Sequence, residues 1–372
     1  MPRLDLRKVA CSIFVLAVGL GAQAHSAENK KNSPKAQPEK TATETLPSNE
    51  TPAAPKPEST PEQVTSTGDS RKSKVWDLNY FPAEGVFFAS AAYRSASNTE
   101  KVTFPGTFGS TELGFYDAKI TAGEVAADLG YGVNDNLQVA LNITDLLEQK
   151  MDVTYGNGTT RSGQTDTIKS SGLRDPSIGL GWRSEGESGR GKVFDLFLAF
   201  SPSIGQSVTG SATESGNALR GGSRFDFAAY YGFMKDGFSW TLAFSRAQFG
   251  ERESKSTAAS TTVTKATGGH ETFLKWNAQL NISGPVYAYW SVGAGLIGNT
   301  SADTSGTITT TDTTPIVFPL SVGLKANLSE DKWVAGLQYR TQAYTTNGNL
   351  GTTKISVVEK ASDISASLTG SF

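Results

Sequence analysis

The sequence has almost none of the residues from which metal centres and His-dependent active sites are built. It contains one cysteine and two histidines among 372 residues. Cys11 lies inside an apolar N-terminal run, so a chain cleaved after that run could form neither a disulfide bond nor a thiolate metal site. His270 is the only histidine beyond the extreme N-terminus, and a lone histidine beside a Ser/Thr-rich connection is usually solvated. We therefore predict that the protein is not an enzyme and has no catalytic, metal-binding or cofactor-binding residues.

An excess of charge of either sign is also lacking. The 34 basic residues nearly balance the 36 acidic residues, which gives a net charge of -2. A nucleic-acid-binding protein would carry a basic excess. We therefore predict that nucleic acid is not a partner.

The chain has only one long apolar run, and it lies at the N-terminus. Arg3, Arg7 and Lys8 precede an apolar stretch that begins at Val9, and Ala22-Gln-Ala24 follows it. The run is too short for a membrane-spanning helix of about 20 residues. Basic residues, a short apolar core and a small-x-small ending are typical of a secretory signal peptide. We predict a signal peptide over residues 1–24 and export of the remainder.

Residues 25–74 have a different composition from the rest of the chain. Seven of the 15 prolines fall between residues 28 and 74, among Lys, Glu, Thr and Ser and without any aromatic residue. Such a segment cannot bury enough apolar surface to offset its ordering entropy. We predict a disordered periplasmic tail, which acts either as a spacer or as a contact to peptidoglycan or a periplasmic partner.

From residue 75 onward, apolar and polar residues alternate with a period of two. In Leu137–Ile143, for example, Leu137, Val139, Leu141 and Ile143 form one face and Gln138, Ala140 and Asn142 the other. This period is that of a strand with one apolar and one polar face. Twelve segments of this kind can be counted, and an even count suits a single-chain bacterial barrel. We predict an all-β fold, a 12-stranded antiparallel transmembrane β-barrel over residues 75–372.

The connections between these segments alternate between short turns and long polar stretches. Outer-membrane barrels have their short turns in the periplasm and their long loops outside. We therefore expect both termini to be periplasmic and the barrel to contact the lipid of a Gram-negative outer membrane. The final strand ends with Phe372, and the strands that the barrel-assembly machinery recognises also end with a phenylalanine. We therefore expect that machinery to be a partner. A soluble β-sandwich, the competing fold, would also alternate but would not require two aromatic bands at the strand ends.

Two segments carry a resemblance to a known family. They are the hairpin at residues 128–141, DLGYGVNDNLQVAL, and the segment at residues 171–183, SGLRDPSIGLGWR. Both resemble the bacterial outer-membrane barrels grouped as transporters of the phenol-degradation meta-cleavage pathway. The resemblance implies transport of aromatic or other hydrophobic compounds across the outer membrane. Arg174 stands where that family would have a glycine.

The predicted inward faces carry charges of both signs. The candidate lumen-lining residues are Arg94, Glu124, Asp128, Arg183, Asp195, Arg224, Asp226, Lys275, Lys325 and Arg340. Opposed charges of this kind could orient a polar solute at a constriction. They could equally form salt bridges that fill and rigidify a narrow barrel.

The first long connection is unusually apolar for a segment exposed to water. Phe104, Phe108, Phe115 and Tyr116 are candidates for a lip that captures substrate. Extension of the first two strands beyond the membrane would explain the same residues. We predict a channel or facilitated-diffusion transporter for small molecules, hydrophobic or aromatic ones included. The alternative is a plugged structural or adhesion barrel that acts through its outer loops or its tail.

Overall fold

The protein was analysed as a computed structural model, which describes residues 77–104, 113–184, 191–235, 237–256, 263–304, 307–311, 314–329 and 332–372. These residues form strands, turns and irregular segments. None of them forms a helix long and apolar enough to span a membrane. The predicted signal peptide and the whole of the predicted tail lie outside the described residues.

Twenty strands follow one another along the chain. They are β1 (Phe87–Phe104), β2 (Leu113–Asn134), β3 (Leu137–Tyr155), β4 (Thr165–Leu173), β5 (Ser177–Arg183), β6 (Gly191–Ser201), β7 (Ser207–Thr209), β8 (Gly216–Asn217), β9 (Arg224–Lys235), β10 (Phe238–Phe249), β11 (Arg252–Ser256), β12 (Val263–Gly268), β13 (His270–Ser283), β14 (Val286–Ile297), β15 (Thr300–Thr304), β16 (Thr307–Thr311), β17 (Ile316–Val317), β18 (Leu320–Ser329), β19 (Trp333–Leu350) and β20 (Thr353–Ser371).

The sheet closes on itself as a 12-stranded antiparallel barrel, which confirms the predicted fold. β20 pairs with β1 from Phe88↔Ser371 to Thr103↔Ser356. Two of the twelve barrel strands, or staves, are each made of two consecutive shorter strands. β4 and β5 both pair with β3, and β17 and β18 both pair with β14. Closure leaves the barrel without an open sheet edge, so every stave has two neighbours.

An apolar belt surrounds the barrel on its outer face. Five of the six alternate positions from residue 318 to residue 328 carry large apolar side chains that are exposed: Phe318, Leu320, Val322, Leu324 and Leu328. Ten residues of strand extend about 34 Å, and a tilt of about 40° reduces this to a height of about 26 Å. The apolar band of an outer-membrane barrel is about 25 Å tall. The belt therefore has the height needed to span a lipid bilayer.

Several staves continue far beyond this belt at the end that carries the long connections. β1, β2, β3, β19 and β20 contain between 18 and 22 residues, although a span needs only about ten. Their inner faces pack together through a buried apolar cluster that includes Val102, Phe115, Met151 and Ile355. Much of what the sequence pattern predicted as long loops is thus a rigid extension of the wall.

The third long connection completes this extension by an unusual pairing. β7 and β8 lie between β6 and β9 in the chain, yet β8 pairs in parallel with β4 and β7 pairs in parallel with β11. Asp175, between β4 and β5, accepts the backbone N–H groups of Ile204 (3.0 Å) and Arg220 (2.7 Å). One carboxylate therefore holds both ends of the connection against the wall.

Candidate functional site: the barrel lumen

The barrel encloses a cavity of about 290 Å³. Its lining is mixed, with polar side chains such as Gln138 and Asn142 and aromatic side chains such as Phe197, Tyr230 and Phe273. The third long connection contributes Val208 and Leu219 to the same lining. Apolar walls with a few polar groups are typical of small-molecule sites.

The segment that precedes β1 occupies the short-turn end of the lumen. Leu78, Asn79, Tyr80 and Phe81 are each at most 6% exposed. The segment approaches the wall so closely that a Cβ atom on Gly132 would lie 2.7 Å from the carbonyl oxygen of Pro82. We call residues 77–82 the pre-barrel segment, and in this structure it occludes the lumen at that end.

Polar and aromatic contacts hold the pre-barrel segment in place. Asn79 Nδ2 donates to Asp195 Oδ2 at 3.3 Å. The guanidinium carbon of Arg183 lies 4.4 Å from the ring centroid of Phe81. At the other side, Lys325 Nζ donates to the carbonyl oxygen of Asp77 at 3.4 Å. Side chains from separate staves thus converge on six residues.

Most of the predicted lumen-lining charges are paired across or along the strands. Arg183 Nε and Nη2 contact Asp195 at 2.7 and 2.8 Å, and Arg94 Nη1 contacts Glu124 at 2.9 Å. Arg224 binds Asp226 through Nε and Nη2, with a shortest distance of 2.6 Å. Arg340 Nε contacts Asp363, a residue that the sequence pattern did not single out, at 2.9 Å. A role of these charges in orienting a solute stays a prediction.

The three other predicted residues have neutral or aromatic partners. Asp128 Oδ1 accepts from Asn142 Nδ2 at 2.9 Å. Lys275 Nζ lies 5.1 Å from the ring centroid of Phe273. Lys325 contacts Gln279 Oε1 at 3.3 Å as well as the pre-barrel segment.

The residues proposed as a loop lip lie on the wall extension where they are described. Phe104 ends β1, and Phe115 and Tyr116 lie in β2 with 0% and 3% exposure. Tyr116 Oη donates to Glu100 in the interior of the extension. Phe108 lies outside the described residues. The second sequence interpretation, extended strands, accounts for this placement.

Three interior arginines, Arg174, Arg220 and Arg252, lie in connections that the sequence pattern predicted as long loops, near residues 144–174, 201–222 and 247–270. Arg174 Nη2 contacts Glu124 Oε2 at 2.8 Å, so one carboxylate binds two arginines. Arg220, Arg252 and Glu271 also line the cavity. Period-two alternation in β13 was a signal that could have identified Glu271, which lies on the same face as buried Phe273. The same alternation in β10 would place Arg252 on the outer face with Leu242 and Phe244, so Arg252 could not be identified in this way. No group of three or more potential metal ligands occurs within the described part of the chain.

No family model matches this sequence, and no curated protein matches it. Solved structures of similar shape are outer-membrane barrels. An outer membrane channel from Pseudomonas putida F1 has a TM-score of 0.47 and 12% identity, covering 78% of this chain and 97% of that chain. A deletion mutant of the monoaromatic hydrocarbon channel TodX has a TM-score of 0.41 and 10% identity, covering 78% and 91%. The outer membrane protease OmpT from Escherichia coli has a TM-score of 0.37 and 6% identity, covering 78% and 97%.

Proposed function

We propose that the protein is a channel of the Gram-negative outer membrane that moves small molecules by facilitated diffusion. The observation that carries the proposal is the cavity of about 290 Å³ inside a closed barrel with a lipid-facing belt. Its mixed aromatic and polar lining suits hydrophobic and aromatic solutes better than strongly hydrated ones. This solute class is also the one implied by the resemblance of residues 128–141 and 171–183 to the meta-cleavage transporters.

The orientation of the barrel follows from the same proposal. Phe87 and Phe372 pair through their backbones at the short-turn end. Short turns are periplasmic in outer-membrane barrels. The pre-barrel segment and the tail before it then face the periplasm, and the wall extension faces the outside. A solute would enter the cavity from outside and leave when the pre-barrel segment moves.

A plugged structural barrel is the second candidate, because the pre-barrel segment is buried in the lumen. The two functions differ in whether anything passes through the barrel. Single-channel conductance in a planar bilayer, with and without residues 25–74, tests this difference. Liposome uptake of phenol should be measured alongside it.

Current steps or phenol uptake would support the channel. Silence from both forms, with folding shown by heat-modifiable gel migration, would favour the structural barrel. Steps that appear only after the tail is removed would indicate that the tail helps to close the lumen.

A further inference from the structure

Arg252 is a buried cation in the cavity wall. Among the described residues no carboxylate forms a salt bridge with it, although the charge of Glu271 attracts it from nearby. Its side chain is 5% exposed, and its Nε has no hydrogen-bond partner. The guanidinium carbon of Arg252 lies 5.2 Å from the ring centroid of Phe249, which is a cation–π contact. Burial lowers the pKa of Arg252 to about 10, so the side chain stays protonated at neutral pH. A buried charge without a partner is costly unless a ligand or water supplies one.

Arg220 is a second arginine of the same wall. Its side chain donates hydrogen bonds to neutral oxygen atoms, while the charges of Asp175 and Asp226 attract it from nearby. Its Nη2 donates to Ser201 Oγ at 3.2 Å, and its Nη1 donates to the carbonyl oxygen of Gly222 at 3.5 Å. Gly222 joins the two arginines in space, since a Cβ atom there would lie 2.7 Å from Cγ of Arg252. Both arginines are therefore on the same side of the cavity.

The other charges of this region are mostly engaged. Asp175 accepts two backbone N–H groups, and Asp226 binds Arg224. Glu271 is the exception, because neither of its buried carboxylate oxygens has a hydrogen-bond partner among the described residues. Its charge attracts Arg252, but its oxygens accept no hydrogen bond from the guanidinium that would satisfy the hydrogen-bonding groups of Arg252, and Nε of Arg252 also has no partner.

Apolar surface lies next to these two cations. Phe273 (3% exposed) and Leu219 line the same cavity as Arg220 and Arg252. A guanidinium binds a carboxylate through two parallel hydrogen bonds, and the neighbouring apolar wall would bury the rest of such a ligand.

From this geometry we propose that the cavity binds small amphipathic anions, with the carboxylate on Arg252 and Arg220 and the apolar body against Phe273 and Leu219. The proposal rests on the proposed channel function and narrows its solute class to organic acids.

The test compares benzoate with its neutral counterpart benzamide by calorimetric titration of the purified, detergent-solubilised protein. We expect benzoate to bind more tightly than benzamide. Arg252→Gln should weaken benzoate binding about tenfold or more and leave benzamide binding unchanged, since hydrogen bonds to charged groups are worth about 1.5–3 kcal/mol. Burial raises the pKa of Glu271 to about 7, so above that pH Glu271→Gln should strengthen benzoate binding, because it removes a like charge.

Lys255→Gln is the matched control. Lys255 belongs to the same strand, β11, but its side chain is exposed. The Lys255→Gln variant loses the same unit of positive charge, but outside the cavity, and should bind benzoate as tightly as the parent protein does. If Arg252→Gln fails to show heat-modifiable migration, Arg220→Gln provides the second variant, with the same expected loss.

Equal benzoate affinity in the Lys255 variant and in both arginine variants would overturn the proposal, as would absence of benzoate binding to the parent protein. Failure of the channel function would appear differently. In that case benzoate would bind with the expected variant pattern, while neither ions nor phenol would cross the membrane.

Discussion

The pre-barrel segment should leave the lumen when its main aromatic anchor is removed. Phe81 is 2% exposed and lies between the guanidinium of Arg183 and the ring of Phe197, whose centroid is 6.4 Å away. Phe81→Ala removes both contacts. Phe81 precedes β1 and takes no part in the strand pairing of the barrel. The loss of its contacts should therefore weaken docking of the segment more than it destabilises the barrel.

The size of the effect follows from burial. Truncating a buried phenylalanine to alanine costs about 3–5 kcal/mol. A loss of about 3 kcal/mol corresponds to a change of roughly a hundredfold in the ratio of docked to undocked segment. Asn79 retains its hydrogen bond to the ion-paired Asp195, so a second variant, Asn79→Ala with Phe81→Ala, should shift the ratio further.

Cysteine labelling measures this ratio directly. The one native cysteine is Cys11, so a chain without the predicted signal peptide contributes no thiol background. Leu78→Cys places a thiol at a buried position, and Glu84→Cys places one at an exposed position. A maleimide reagent should label position 78 slowly in the parent and much faster with Phe81→Ala, while position 84 reacts fast in both. Single-channel current should increase in the same variant.

Phe87→Ala serves as the control, because Phe87 is 40% exposed and its ring packs near that of Phe372 in the barrel wall. Two results would refute the reasoning. One is a parent protein in which positions 78 and 84 react equally fast. The other is unchanged labelling and current in the Phe81 variant.

Three further predictions concern the wall. Asp363→Asn leaves Arg340 buried beside a neutral partner and should destabilise the barrel by about 3 kcal/mol, measured by urea unfolding in detergent. Val322→Arg places a charge in the lipid-facing belt and should cost about 2–4 kcal/mol when folding is measured in bilayers. In the extension, burial and then the carboxylate of Glu359 raise the pKa of Glu100 to about 8, above the unfolded value of about 4.5. The protonated form is therefore favoured on folding, and stability should fall as pH rises from about 5 to 8. Glu100→Gln should reduce this fall without abolishing it, because burial also raises the pKa of Glu271 and of Glu359.

For each of these three predictions, a control variant changes an exposed residue of the wall extension in the same way. Asp117→Asn should leave stability unchanged, Thr99→Arg should be tolerated, and Glu148→Gln should retain the parent pH dependence, since all three side chains are exposed. A loss for Asp117→Asn as large as that for Asp363→Asn would contradict the ion-pair argument. Equal costs at residues 99 and 322 would contradict the assignment of the belt. A flat pH profile in the parent would contradict the expected pKa of Glu100.

The barrel could be predicted from sequence because lipid contact forces a strict alternation. In β5, Ile178, Leu180 and Trp182 are exposed, while Arg183 is buried. The same alternation placed Arg183 and Asp195 on the inner face, and the observed register sets them directly opposite each other. Inward orientation was therefore predictable, whereas pairing required the register, which connection lengths alone did not determine.

The pre-barrel segment could not be predicted in the same way. Leu78, Tyr80 and Phe81 follow no strand period, and their partners Val193, Val334 and Phe197 are more than a hundred residues away in the chain. The arginine site was missed for a related reason. Arg220 lies in a connection without a long strand, and parallel pairing of β7 with β11 brings that connection to Arg252. Contacts of this kind depend on tertiary packing and have no local signal.

Polarity of the two strand faces inverts where the wall leaves the lipid. In the C-terminal half of β20, which lies within the belt, Ile364 and Leu368 are exposed while Asp363 is buried. In the N-terminal half of β20, which lies beyond the belt, Lys354 and Lys360 are exposed while Ile355 is buried. Lipid favours an apolar outer face, but water favours a polar one, so above the belt the apolar residues must move inside. The height of the membrane is therefore encoded by this inversion and not by strand length. Phe115 and Tyr116, two of the residues that suggested an exposed lip, belong to the inner face of the same inverted wall.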